Sequence, residues 1–175
     1  MSELATPLIL TLAMHPEDQA RFDALRERHF PPGVNYISAH LTLFHHLPGT
    51  EGEGVAESVR VAAAGQAAFE AGVTGLRSLG RGVAYTVASA PLVALRGGLA
   101  RHWHEYLTAQ DRQGWRPHVT IQNKAAPGEA KALLAAMEAV FAPFQVRATG
   151  LALWRYMGGP WELVRRYGFR DGGEP

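Results

Sequence analysis

Apolar and polar positions along the chain follow two rhythms that alternate. Residues 7–14 form a nearly continuous apolar run, the pattern of a strand buried on both faces. Residues 17–30 then space Phe22, Leu25 and His29 or Phe30 at helical intervals. Pro16 stands near the helix start, Glu17 and Asp18 lie where the helix dipole favours carboxylates, and Pro31-Pro32-Gly33 ends it. From Ser38 the period becomes two, so Ser38, His40, Thr42 and Phe44 share one strand face, until Pro48-Gly49 closes the run. Helical spacing rich in Ala and Val returns over 53–71. Strands over 73–79 and 83–88 flank a tight turn at Gly80-Arg81-Gly82.

The second half repeats this order. A helix over 91–109 carries Leu92, Leu95, Leu99, Trp103 and Leu107 on one stripe, and 111–114 leads into a further strand. There Arg116, His118, Thr120 and Gln122 share a face, opposite Val119 and Ile121. Pro127-Gly128 closes it, a helix covers 129–141, and strands follow over 144–156 and 161–169 on either side of Gly158-Gly159-Pro160. His118 follows His40 by 78 positions, Pro127 follows Pro48 by 79, and Thr149-Gly150-Leu151 follows Thr74-Gly75-Leu76 by 75. One duplicated unit explains the three offsets. The chain is therefore expected to be a single bilobal domain over 1–175, with repeat halves of roughly 7–79 and 83–156 and a closing strand over 161–169. The repeat brings both polar strand faces toward one cleft.

Composition narrows the class. At 175 residues and 47% hydrophobic content the chain can bury a real core. A net charge of +1 is far from the basic balance of a protein that coats duplex nucleic acid, so an acidic ligand would be gripped locally. Without cysteines there are no disulfides or thiolate metal sites. Residues 1–6 carry Glu3 and no basic stretch, and no apolar run reaches about 18 residues. The expectation is a soluble, cytoplasmic monomer without membrane contact.

The paired motifs carry the chemistry. One His-x-Thr-x is weak evidence, since a half-buried strand can hold both residues for packing alone. Two copies at equivalent places are harder to dismiss. Near neutral pH one imidazole can serve as base and the other as acid, and no metal is then required. The hydroxyls of Thr42 and Thr120 suit phosphate oxygens, more so as charge builds on phosphorus. Phosphodiester chemistry by His40 and His118 is the simplest reading.

His40-Leu41-Thr42-Leu43 and His118-Val119-Thr120-Ile121 resemble the motifs of the 2H phosphoesterases, which include bacterial RNA 2′,5′-ligases and 2′,3′-cyclic nucleotide phosphodiesterases. The opening strand and helix, Pro117 before the second motif and the ending Trp161-x-Leu163-x-Arg165-Arg166-Tyr167 extend the resemblance over most of the chain. It implies an α+β fold of two pseudo-symmetric lobes, each a mainly antiparallel sheet with helices outside, around a central cleft. It also implies catalysis without metal or other cofactor on nucleotide or RNA ends with 2′,3′-cyclic phosphates or 2′-5′ linkages.

Other residues are candidates for substrate binding. Phe44, Tyr85, Trp154 and Tyr156 could stack on a nucleobase, although aromatics on strands are more often core. Arg116, Gln122 and, if its strand runs on, Lys124 could hold phosphate. His45-His46 and His102-Trp103-His104 lack the spacing and acidic company of a metal site. A noncatalytic RNA- or nucleotide-binding module on the same fold is the alternative, and turnover of a cyclic phosphodiester separates the two.

Overall fold

The structure is a computed structural model that describes residues 6–173. The readings at Glu3 and at both extremes of the 1–175 domain lie outside the described residues. In chain order the elements are β1 (Leu8–Met14), α1 (Pro16–His29), β2 (Thr42–Leu47), α2 (Gly52–Gly65), β3 (Phe69–Ser78), β4 (Val83–Ala88), α3 (Ala90–His102), α4 (Ala109–Arg112), β5 (His118–Gln122), α5 (Pro127–Glu138), β6 (Phe144–Tyr156) and β7 (Trp161–Gly168). Local chemistry sets many of these limits. The Ser89 hydroxyl accepts from the Leu92 N–H to cap α3, and the His15 ring accepts from the Glu17 N–H to cap α1. Extended Phe30, before Pro31, ends α1.

Helices end earlier than periodicity alone indicates. The helix expected over 53–71 stops at Gly65, and Phe69, Ala71 and Val73 already alternate as the buried face of β3. The stripe read over 91–109 breaks after His102, because Trp103 and Leu107 reach the core from a turn beyond α3. The helix read to 141 ends at Glu138.

All strand pairs are antiparallel, in the order β2-β1-β6-β3-β4-β5, with β7 added to β6. The fold is α+β, a curled sheet with helices packed on it, arranged as two lobes. Long β6 joins them: its first residues pair with β3, while Ala148–Arg155 pair with β1 and Gly150–Tyr156 with β7. Exchanging β1 with β4, β2 with β5 and β3 with β6 converts the strand order into its own reverse. The third strand of each sequence half thus pairs within the other half's lobe.

Two packed layers hold the strands in place. Leu8, Leu10 and Leu12 of β1 share a sheet face with Leu151 and Leu153 of β6, and the core there includes Val55 and Val59 of α2. In the other lobe Phe22 of α1 packs on Tyr85 and Phe144 at 5.6 and 6.2 Å. The opposite face of β1 and β6, bearing Thr11, Ala13, Ala152 and Trp154, lines a cavity. Gly82 allows the start of β4 to close on the end of β5, since a Cβ there would fall 1.8 Å from the Gln122 carbonyl oxygen.

Candidate active site between two sheet edges

Strands β2 and β5 are the two free ends of the strand order; β5 opens with the second His-x-Thr-x motif, whereas the strand expected from Ser38 begins only at Thr42, so His40 and Leu41 of the first motif lie just ahead of β2. An exposed edge presents unpaired main-chain groups that must be covered. Here the segment leading into each motif covers the edge that bears the other. Ahead of β5, Trp115 Nε1–H donates to the Thr42 carbonyl at 3.0 Å and Arg96 Nε–H to the Leu43 carbonyl at 2.9 Å. The buried Asp111 carboxylate accepts from the N–H groups of His45 and His46, each at 2.9 Å. Ahead of β2, Arg26 of α1 donates to the Thr120 carbonyl at 3.1 Å and to Asn35 Oδ1 at 2.7 Å. These ties hold the two edges together, and the motif histidines are near enough for the charge of His118 to act on His40.

The two histidines are held alike. Nδ1 of His40 lies 2.8 Å from the Ser38 carbonyl, and Nδ1 of His118 lies 2.8 Å from the Arg116 carbonyl. A carbonyl only accepts, so Nδ1 carries the proton in each ring and Nε2 is left for chemistry. Thr42 and Thr120 are half-buried, and among the described residues neither hydroxyl is engaged in an intramolecular hydrogen bond. Cross-strand pairing sets Thr42 opposite Thr11 and His118 opposite Thr86.

Burial decides the charge of this pair. Desolvation pushes His40 down to about 4, against the hydrogen bond to Ser38 and with help from Arg26, His118 and His45. His118 is also pushed down, by desolvation first and then by Arg77 and His45, against its bond to Arg116. The unfolded chain therefore binds protons at a pH where the folded pair stays neutral, so stability is full above about pH 6.5 and falls as pH drops toward 4. Between pH 7 and 4.5 the unfolding free energy measured in urea should fall by about 1–2 kcal/mol less in His40→Gln than in the wild type, once partial exposure is allowed for. Equal pH slopes would contradict the burial assigned to His40.

A cavity of about 620 Å³ opens beside His40. Its wall includes Thr11, Asp23, Tyr36, Trp154, Trp161 and Arg166. The Trp161 ring centre lies 4.6 Å from that of His40, and Trp154 lies 6.2 Å from Trp161 with its Nε1–H donated to the Thr11 hydroxyl at 2.8 Å. The walls offer aromatic faces and one guanidinium beside an imidazole.

The sequence profile of the 2′-5′ RNA ligase superfamily matches residues 14–160, a span that contains both motifs and most of both lobes. The chain belongs to the 2′-5′ RNA ligase superfamily. It is thereby a member of the 2H phosphoesterases. Solved structures of similar fold include TT0787 of Thermus thermophilus, with a TM-score of 0.68 and 19% identity over 94% of this chain and 98% of that one. E. coli LigT complexed with 3′-AMP gives a TM-score of 0.58 and 18% identity over the same shares, and LigT complexed with NADP+ gives 0.58 and 17%. None of the curated proteins matches the sequence significantly. These identities show the shared fold.

Within this 2′-5′ RNA ligase fold several sequence readings need correction. Phe44 does not face the cleft: the β1–β2 register shifts between Thr11–Thr42 and Leu10–Phe44, and Phe44 is fully buried against Trp103, 5.1 Å away. Gln122, four residues after the second histidine, meets the same shift between Ala84–Thr120 and Val83–Gln122 and is buried with Oε1 lacking a partner among the described residues. Tyr85 pairs with Val119 on the core face, among Phe22, Phe141 and Phe144. Lys124 is exposed beyond the strand, at φ 60°. Arg116 is exposed just before β5 and contributes its carbonyl to His118. Of the remaining candidates, Trp154 lines the cavity and Tyr156 is exposed at the end of β6, opposite Trp161. Sequence parity missed Thr11, Trp161 and Arg166. Strict alternation would set Trp161 and Arg166 on opposite faces of β7, and only the register shift opposite Leu153 and Trp154 lets both line the cavity.

Proposed function

We propose that this chain is a metal-independent phosphodiesterase acting on 2′,3′-cyclic phosphates or 2′-5′ linkages of nucleotides or RNA, with 2′,5′-ligation as the reverse reaction. The observation that supports it best is the matched pair of Nδ1–carbonyl bonds, which leaves two Nε2 atoms free at the two ends of the strand order. Desolvation above all, aided by the charges of Arg26, His118 and His45, pushes His40 down to about 4, so His40 stays neutral near pH 7. His40 is accordingly the base and His118 the acid. A phosphate anion entering the cleft favours protonation of His118. Water then loses a proton to His40 Nε2 as its oxygen bonds phosphorus, the bond from phosphorus to one ribose oxygen breaks, and His118 Nε2–H protonates that oxygen. Thr42 and Thr120 donate to the phosphoryl oxygens as charge builds.

The base is placed in the cavity beside His40, against Trp154 and Trp161, with Arg166 near the sugar-phosphate. LigT, of the same fold, has been captured with 3′-AMP and NADP+, both adenine nucleotides, which fits a nucleotide in this position. The palindromic strand order supports descent from a duplicated unit with halves of roughly 7–79 and 83–156. The test is a screen of purified protein against 2′,3′-cyclic mononucleotides, 2′-5′ dinucleotides and RNA with a cyclic-phosphate end, with and without EDTA. Turnover of at least one class, unchanged by the chelator, is expected. Activity that needs an added divalent metal, or binding without turnover of any of them, would overturn the proposal.

A further inference from the structure

A third imidazole stands beside the motif on β2. The register of β1 and β2 shifts again between Leu10–Phe44 and Leu8–Leu47, so His45 and His46 together lie opposite Ile9. Paired residues share a sheet face, and Ile9 is on the face of Thr11, the cleft face. His45 therefore occupies the row next to Thr42, roughly 7 Å further along the strand.

Its ring is fixed there by a built contact. Asp111 is 2% exposed, and its carboxylate takes the His45 N–H at 2.9 and 3.1 Å, the His46 N–H at 2.9 Å and the His45 Nδ1–H at 3.1 Å. Asp111 is itself held by the hydroxyl of Thr108, which accepts its N–H at 3.4 Å, and by Arg96, which donates to its carbonyl at 2.8 Å. Burial would raise the Asp111 carboxyl, but the bonds from His45 and His46 outweigh it and keep the group below the usual carboxylate range. The His45 side chain is 39% exposed, so it is not a core residue. Nothing in packing requires an imidazole there, because the two main-chain bonds to Asp111 would survive its loss.

We infer that His45, oriented by Asp111, is a phosphate-binding residue of the cleft, with Nδ1–H committed to the carboxylate and Nε2–H given to a phosphate oxygen of the substrate. The inference rests on reading the cleft as a phosphodiester site. Bonding to both partners needs the protonated ring, since a neutral ring with Nδ1–H on Asp111 presents only a lone pair at Nε2. The charged and titratable groups around it are Asp111 of α4, Arg96 of α3, its neighbour His46 on β2, and His40 and His118 across the motifs.

Inorganic phosphate is the probe, its dissociation constant being read by calorimetry on the full chain at pH 6 and pH 8.5, for the wild type and His45→Ala. At pH 6 the variant should bind about tenfold more weakly, the scale of one charge-assisted hydrogen bond, and the ratio should shrink toward one at pH 8.5. If His45→Ala does not fold, His45→Gln keeps a donor for Asp111 without the charge and should show the same pattern. Equal affinities at pH 6, or a loss independent of pH, would overturn the inference. A wild type that turns over no cyclic phosphate yet shows this pH-dependent ratio would sink the proposed activity and leave the His45 site standing.

Discussion

Replacing His40 or His118 by alanine should lower turnover of a 2′,3′-cyclic nucleotide by about 10²- to 10⁴-fold, the range for one positioned proton transfer. Both rings present Nε2 through identical Nδ1–carbonyl bonds 2.8 Å long, and among the described residues no other is held in that way on these edges. The losses should differ in their pH dependence. His40, pushed down to about 4, stays neutral through the ordinary assay range, so its removal costs a similar factor from pH 6 to 8. His118 must be charged to act, and its removal should matter most toward acid pH. Folding should survive, as both side chains are half-buried and their hydrogen bonds go to adjacent main chain. If either alanine variant turns over at close to the wild-type rate, the assignment fails.

Loss of a threonine hydroxyl should be the next largest effect. Thr42→Val and Thr120→Val preserve the shape and β-branching of a strand residue while removing a donor from the cleft. Neither hydroxyl has another hydrogen bond to lose among the described residues, so stability should change little. Removing one donor to a developing oxyanion costs on the order of 10²-fold, and the fall should appear in kcat with the pH optimum in place. An optimum displaced by a full pH unit would mean that the hydroxyls chiefly tune the imidazoles.

How far the site was legible depended on whether a residue obeyed strand parity. His40, Thr42, His118 and Thr120 did, because burial alternates residue by residue up to each threonine. Immediately after each threonine a one-residue register shift reverses the faces, turning Phe44 and Gln122 inward and carrying His45 onto the cleft side. Nothing in the local sequence marks these shifts. Trp161 was out of reach for a different reason: it meets His40 only because the curled sheet carries the β6–β7 hairpin over the motif, 121 positions along the chain. Asp111 looked like part of a lead-in loop, and only the covering of the β2 edge reveals its role. The alternation of strands and helices was legible, since it follows from the switch of hydrophobic period along the chain. The exchange of β3 and β6 between lobes was not, because pairing partners leave no periodic trace.

That the two imidazoles act as one acid–base unit is tested most directly by turnover of a 2′,3′-cyclic nucleotide in the variant lacking both. Groups that act as a unit are not additive, so the double alanine variant should stay within about tenfold of the slower single variant. Losses that multiply, giving a double variant slower by the product of the two single factors, would show that His40 and His118 contribute independently and would contradict paired catalysis.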